Sequence, residues 1–239
     1  MKIKAKGLDI TYNDKGKGFP IILLHGWGQN KEMMDILGDT LEGYRRISID
    51  LPGFGESSEP KEVLSVKDYA EIVHEIINKL DIKPINIVGH SFGGRIGAKY
   101  ASMYHVDHLV LLAAPLYKTK ETYKTKLVKA LGKIIPEGLK EKLKKHIGSS
   151  DYKKASKVMR EILIEHINTD LSEDIKKINT PTLLIWGTDD KAVSVRDARK
   201  AEKEFKDAAL IEIPYATHYA YIEHLGRVSS ILNNFFGGK

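Results

Sequence analysis

Ser91 stands in Gly89-His90-Ser91-Phe92-Gly93, where an apolar, β-branched run beginning at Ile85 meets a cluster of glycines and a helical pattern starts at once. The G-x-S-x-G spacing has a steric meaning. A serine on a sharp strand-to-helix turn needs small neighbours, and the turn exposes its hydroxyl at a helix N-terminus, where developing negative charge is favoured. A hydroxyl attacks at neutral pH only when a base removes its proton, and the base needs a third group to hold its tautomer. Downstream, Thr188-Asp189-Asp190 places an acidic pair after the run "PTLLIWG", and "YATHYAYIEH" after "ALIEIP" offers His218 and His224. His218 lies in the loop just past its strand and is the expected base, whereas His224 falls on the final helical pattern and reads as a surface residue. Either Asp189 or Asp190 is placed to orient the histidine. The chemistry these types imply is acyl transfer through a serine.

The elements that must position them are short apolar runs alternating with amphipathic stretches. The runs "PIILLHG", "YRRISID", "INIVGH", "VDHLVLLAA", "PTLLIWG" and "ALIEIP" are continuous rather than alternating. Strands of that kind belong to a parallel sheet covered on both faces. The first run, "IKAKGLDITY", alternates and is broken by Gly7, which predicts an antiparallel hairpin at one sheet edge. Helical patterns fall over "SVKDYAEIVHEIINKL", with Ser65 a cap, then "FGGRIGAKYASMY", "RDARKAEKEF" and "EHLGRVSSILNNFF". The expected fold class is α/β, a doubly wound and mostly parallel sheet.

One segment breaks the rhythm. Residues 116–171 contain no convincing strand, only lysine-rich helical stretches such as "TYKTKLVKALGKII" and "ASKVMREILIEHI". They read as a small helical lid inserted after the sixth strand, with 1–115 and 172–239 as the core. Between Tyr117 and Asp170 there are 14 lysines and arginines against 7 acids, so this segment carries more than the whole chain's net charge of +6. Such a face attracts anionic partners, or is simply a solvated helix surface.

Composition excludes several chemistries. There is no cysteine, which removes disulfides, thiol nucleophiles and thiolate metal sites. No apolar run is long enough for a membrane span, and "MKIKAKGLDI" lacks the apolar core of a signal peptide, so a cytoplasmic location is expected. The glycine-rich stretches match neither a dinucleotide loop nor a P-loop, and the histidine pairs lack companion ligands for zinc. Neither a cofactor nor a metal is expected, nor is nucleic-acid binding, because the basic segment carries few aromatics.

Five pieces in order, "HGWG" (25–28), "DLPGFGES" (50–57), "GHSFGG" (89–94), "WGTDD" (186–190) and "THYAYIEH" (217–224), resemble the α/β-hydrolase family over essentially the whole chain. The resemblance implies the α/β-hydrolase fold and assigns the acid to Asp190, three residues after the strand-ending Gly187. It also implies an oxyanion hole from the backbone N–H groups of Trp27 and Phe92, and structural hydrogen bonds for His25 and His90 beneath the elbow. Asp50, Gly53 and Gly55 become turn residues. The family usually has glycine where this chain has Thr217. Relatives that cleave carbon–halogen bonds or epoxides carry an aspartate at the elbow, so Ser91 implies an acyl-enzyme and a carboxylesterase acting on a small-molecule ester. The small lid and basic segment resemble pimeloyl-acyl-carrier-protein methyl ester esterases, which implies an acidic acyl carrier protein as partner. The alternatives are a carbon–carbon bond hydrolase of the same fold and a hydrolase-fold small-ligand receptor. Monomer and dimer are equally compatible with the sequence.

Overall fold

The structure is a computed structural model that describes residues 1–118 and 155–237. Eight strands form one sheet. β1 (Lys2–Ala5) and β2 (Leu8–Lys15) make the expected antiparallel hairpin, and β2 pairs antiparallel with β4 (Tyr44–Ile49). The rest is parallel: β3 (Phe19–Leu24), β5 (Asn86–His90), β6 (His108–Leu112), β7 (Thr182–Gly187) and β8 (Ala208–Ile213) complete the order β1-β2-β4-β3-β5-β6-β7-β8.

The continuous apolar runs are explained by burial on both faces. In β3, Ile22 and Leu24 face one core while Ile21 and Leu23 face the other. β6 divides in the same way, with Leu109 and Leu111 opposed to Val110 and Leu112. Each fully buried side chain of this kind contributes about 1.5–3 kcal/mol. The first core is closed by α2 (Val66–Lys79), α3 (Phe92–Met103), α4 (Lys157–Asn168) and α6 (Val195–Glu204), with α5 (Ser172–Ile175) between the last two in sequence. The second is closed by α1 (Lys31–Gly38), α7 (Ala220–Glu223) and α8 (Leu225–Phe235). Ser65 caps α2 as expected. Its hydroxyl accepts from Asp68 N at 3.2 Å while the Asp68 carboxylate accepts from Ser65 N at 2.8 Å, a reciprocal capping box.

Strand order decides where the site lies. From β3 the chain crosses to β4 on one side and returns to β5 on the other, so the loops after β3 and β5 flank the point where the winding reverses. Ligands of open parallel sheets sit in that crevice, at the carboxyl ends of the strands.

Three details differ from the periodicity reading. α1 has no counterpart in it, because Lys31 and Asp35 are buried among its apolar residues and blur the stripe. The last helix is two pieces joined at His224, which is exposed at the joint. The helix expected over 122–135 lies outside the described residues, as does most of the basic segment; α4 covers the second expected stretch.

Candidate active site

Ser91 follows the last residue of β5 and precedes the first of α3, with φ 49° and ψ −109°. A serine in this region is strained, and the surroundings hold it there. Ser91 N donates to the Leu112 carbonyl at 2.8 Å, and Gly93 N to the His25 carbonyl at 3.0 Å. The flanking glycines are required by close approach. A Cβ on Gly89 would lie 2.5 Å from the Gly93 carbonyl oxygen, and one on Gly93 would collide with the Leu24 carbonyl. The bond from Gly93 to His25 also ties the elbow to the loop after β3, which carries Trp27. Among the described residues, no acceptor takes the backbone N–H of Trp27 or of Phe92. Their rings meet edge to face, 5.2 Å between centroids.

Asp190 and His218 come together from the turns after β7 and β8. His218 Nδ1 donates to Asp190 Oδ2 at 2.7 Å, and Asp190 Oδ1 accepts from Ala192 N at 2.8 Å and Val193 N at 2.9 Å. A carboxylate accepts only, so the histidine proton sits on Nδ1 and the lone pair on Nε2. That Nε2 is buried with no partner among the described residues. Asp189 is exposed and turns away, its backbone N bonded to Ala216 O at 2.9 Å. Gly187 makes the pairing possible, since a Cβ there would strike the Ala216 and Thr217 carbonyls of the histidine loop.

Thr217 has a local reason to replace glycine. Its backbone N donates to Glu223 Oε2 at 2.7 Å and its hydroxyl bonds the other carboxylate oxygen, so the pair staples the histidine loop to α7. Thr217 does not have positive φ, so glycine's conformational freedom is not needed here.

The Ser91 hydroxyl itself makes no hydrogen bond among the described residues. Its neighbour His90 reaches His218 instead, with Nε2 donating to the His218 carbonyl at 3.0 Å and ring centroids 4.9 Å apart. Burial holds the His90 imidazole well below its ordinary pKa, with His218 adding to the effect, so His90 stays neutral. His25 is similarly lowered by burial; its Nδ1 donates to Gly26 O at 2.8 Å and its Nε2 accepts from Leu51 N at 3.0 Å.

Asp50 is fully buried beneath the loop carrying Phe54. It accepts from Lys31 N at 2.7 Å, Thr11 Oγ1 at 2.7 Å, Glu56 N at 3.0 Å and Lys31 Nζ at 2.9 Å. Burial would raise its pKa, but these hydrogen bonds outweigh it and hold the carboxyl below its usual value. The network presses Phe54 onto Trp27, 4.9 Å between centroids. Phe92, Tyr69 and His166 of α4 extend this aromatic wall, with His166 only 4.5 Å from Phe92. Sequence reasoning named Trp27 and missed Tyr69, His166 and the buried Arg95. In the strings "KDYAEI", "LIEHIN" and "GGRIGA" nothing distinguishes them from ordinary helix positions. No group of three or more potential metal ligands is assembled among the described residues, and no helix there is long and apolar enough to cross a membrane. A cavity of about 720 Å³ at the opposite, amino ends of the strands, lined by Phe19, Tyr44, His108 and Phe236 among others, holds none of these groups.

The sequence profile described as alpha/beta hydrolase fold matches residues 20–149, more than half of the chain. The chain belongs to the alpha/beta hydrolase family. Among curated relatives, an AB hydrolase superfamily protein of Bacillus subtilis is 27% identical over 93% of this chain and 93% of its own. A 2-hydroxy-6-oxo-6-(2'-aminophenyl)hexa-2,4-dienoic acid hydrolase of Metapseudomonas resinovorans is 28% identical over 93% and 85%. A pimeloyl-[acyl-carrier protein] methyl ester esterase of Shewanella woodyi is 28% identical over 87% and 90%. Among solved structures, an esterase from Exiguobacterium antarcticum superposes with a TM-score of 0.84 at 24% identity, covering 98% of both chains. The α/β-hydrolase sheet read from the sequence is the fold observed.

Proposed function

We propose that this α/β hydrolase cleaves carboxylic esters of small or medium acyl chains through a Ser91–His218–Asp190 triad. The observation that carries the reading is the 2.7 Å bond from His218 Nδ1 to Asp190, which leaves a buried, unpartnered Nε2 on the side of the ring that faces away from the acid. Ser91 Oγ attacks the ester carbonyl as its proton passes to His218 Nε2. The carbonyl oxygen becomes an oxyanion held by the N–H groups of Trp27 and Phe92, and Asp190 stabilises the imidazolium. Collapse expels the alcohol, which takes the proton from His218, and leaves an acyl-enzyme on Ser91. Water then gives a proton to Nε2, attacks the acyl carbon and releases the acid, and the proton returns to Ser91. The Shewanella methyl ester esterase supports an ester as substrate.

In this reading residues 116–171 form a cap on a core of 1–115 and 172–239, and α4 brings His166 against Phe92 at the elbow. An acidic acyl carrier protein fits the basic excess of that segment. It predicts a kcat/KM on carrier-bound esters that falls steeply with salt; equal rates on free and carrier-bound methyl esters would remove the partner from the account. The Metapseudomonas hydrolase supports a second reading, carbon–carbon bond hydrolysis by the same triad. Hydrolysis of p-nitrophenyl esters from acetate to laurate, by the wild type and Ser91→Ala, decides between them. Turnover that collapses in the variant supports the esterase, whereas a folded wild type that turns over vinylogous diketones and no ester moves the assignment to the second reading.

A further inference from the structure

Arg95 lies one turn into α3, its N donating to the Ser91 carbonyl at 3.2 Å, and is only 2% exposed. Its guanidinium bonds no carboxylate among the described residues. One terminal nitrogen donates to the Pro115 carbonyl and the other to the Thr169 carbonyl, the latter at 2.7 Å. These two carbonyls stand at the two ends of the segment between β6 and β7, where the chain leaves the core and where it returns. The same two ends are bonded directly to each other by Leu171 N to Leu116 O at 2.9 Å and Lys118 N to Asp170 Oδ2 at 3.0 Å. Just inside the returning end, α4 places Met159, Leu163 and His166 in the core, with the His166 ring against Phe92.

Burying a cation that is bonded only to neutral carbonyls is costly, and burial lowers the Arg95 pKa to about 10. An apolar side chain would fill the space without that cost. What the apolar chain lacks is the rigid, planar fork that fixes two acceptors at a set spacing from one helix.

We propose that Arg95 is a positioning residue that registers both ends of the 116–171 segment to the nucleophile helix and thereby sets how long an acyl chain the site accepts. The inference rests on the esterase reading for its substrate consequence, but its mechanical half stands apart. α4 lies against the elbow through His166 and Phe92, 4.5 Å between ring centroids, so in this proposal its position bears on a long acyl chain and little on an acetyl group.

The test compares the wild type with Arg95→Met, which keeps the bulk and loses the fork, and Arg95→Lys, which keeps the charge but has one head for two carbonyls. With p-nitrophenyl acetate, kcat/KM of Arg95→Met stays within about threefold of wild type; with the octanoate it falls about tenfold or more, chiefly through KM, as two charge-assisted hydrogen bonds are lost. Arg95→Lys recovers only part of it. Hydrogen–deuterium exchange of peptides in 156–171 accelerates in both variants, while β5 and β6 keep their protection. Equal loss on both esters, full rescue by lysine, or unchanged exchange in 156–171 would each overturn the proposal. Should Arg95→Met not fold by circular dichroism, the lysine variant carries the same criteria. A wild type without esterase activity defeats the functional reading, and the exchange comparison then still decides whether Arg95 holds the segment.

Discussion

Replacing Asp190 by asparagine changes one oxygen to an NH2 group, and the structure dictates which one. Oδ1 accepts from two backbone N–H groups, of Ala192 at 2.8 Å and Val193 at 2.9 Å, so the amide oxygen must stay on that side. The reverse orientation would set NH2 against two buried donors, at a cost of about 1–3 kcal/mol for each unsatisfied group. The NH2 therefore takes the place of Oδ2, 2.7 Å from His218 Nδ1, where it donates and forces the imidazole proton onto Nε2. A protonated Nε2 cannot accept from Ser91. The proposed base is lost through its tautomer while the fold is retained. The expected drop in kcat/KM on p-nitrophenyl acetate is about 10⁴-fold, or about 5 kcal/mol, with KM little changed. The rate of Ser91 modification by a fluorophosphonate falls in parallel. Asp189→Asn is the control. That residue is exposed, and its carboxylate meets only the Thr188 hydroxyl among the described residues, at 3.4 Å, so activity stays within about twofold. A loss below about tenfold in Asp190→Asn, or an equal loss in Asp189→Asn, would refute the argument.

Three further outcomes follow from other sites. Gly187→Ala drives a Cβ into the Ala216 and Thr217 carbonyls and separates Asp190 from His218, so it costs about 1–3 kcal/mol by thermal denaturation and, if the proposed triad acts, lowers activity more than stability. Gly226→Ala, inside α8 with open space around the new Cβ and no positive φ, should stabilise by about 0.5–1 kcal/mol and leave kcat unchanged; a lower melting temperature would contradict the helix. His90 and His166 are held neutral by burial, with pKa values depressed well below 6.5. The unfolded chain binds their protons first as pH falls, so their contribution is complete above about pH 6.5 and declines below it. The unfolding free energy is therefore expected to fall between pH 7.5 and 5.5, measured by denaturant titration at the two pH values. His166→Leu should flatten that profile.

The sheet was legible because strands buried on both faces read as unbroken apolar runs, and the edge hairpin was legible because it alternates. The elbow was legible because only glycine tolerates the backbone contacts at Gly89 and Gly93. Other features depend on contacts between residues far apart in sequence. Choosing Asp190 over Asp189 required the family resemblance, since adjacent carboxylates differ only in how the turn after β7 aims them. The acceptance of Thr217 depends on Glu223, six residues on, reaching back to it. Arg95 looks like a surface residue of an amphipathic helix until the ends of the segment after β6 close over it. α1 was missed because Lys31 is buried by its pairing with Asp50, and sequence periodicity counts a lysine as exposed.

The central claim is that Ser91 carries the acyl group. The most direct measurement is mass spectrometry of the protein after reaction with a fluorophosphonate, with peptide mapping of the adduct. The account predicts a single adduct on Ser91, formed in step with loss of esterase activity, absent in Ser91→Ala and strongly slowed in His218→Ala. An adduct on another residue, or ester turnover that survives in Ser91→Ala, would contradict it.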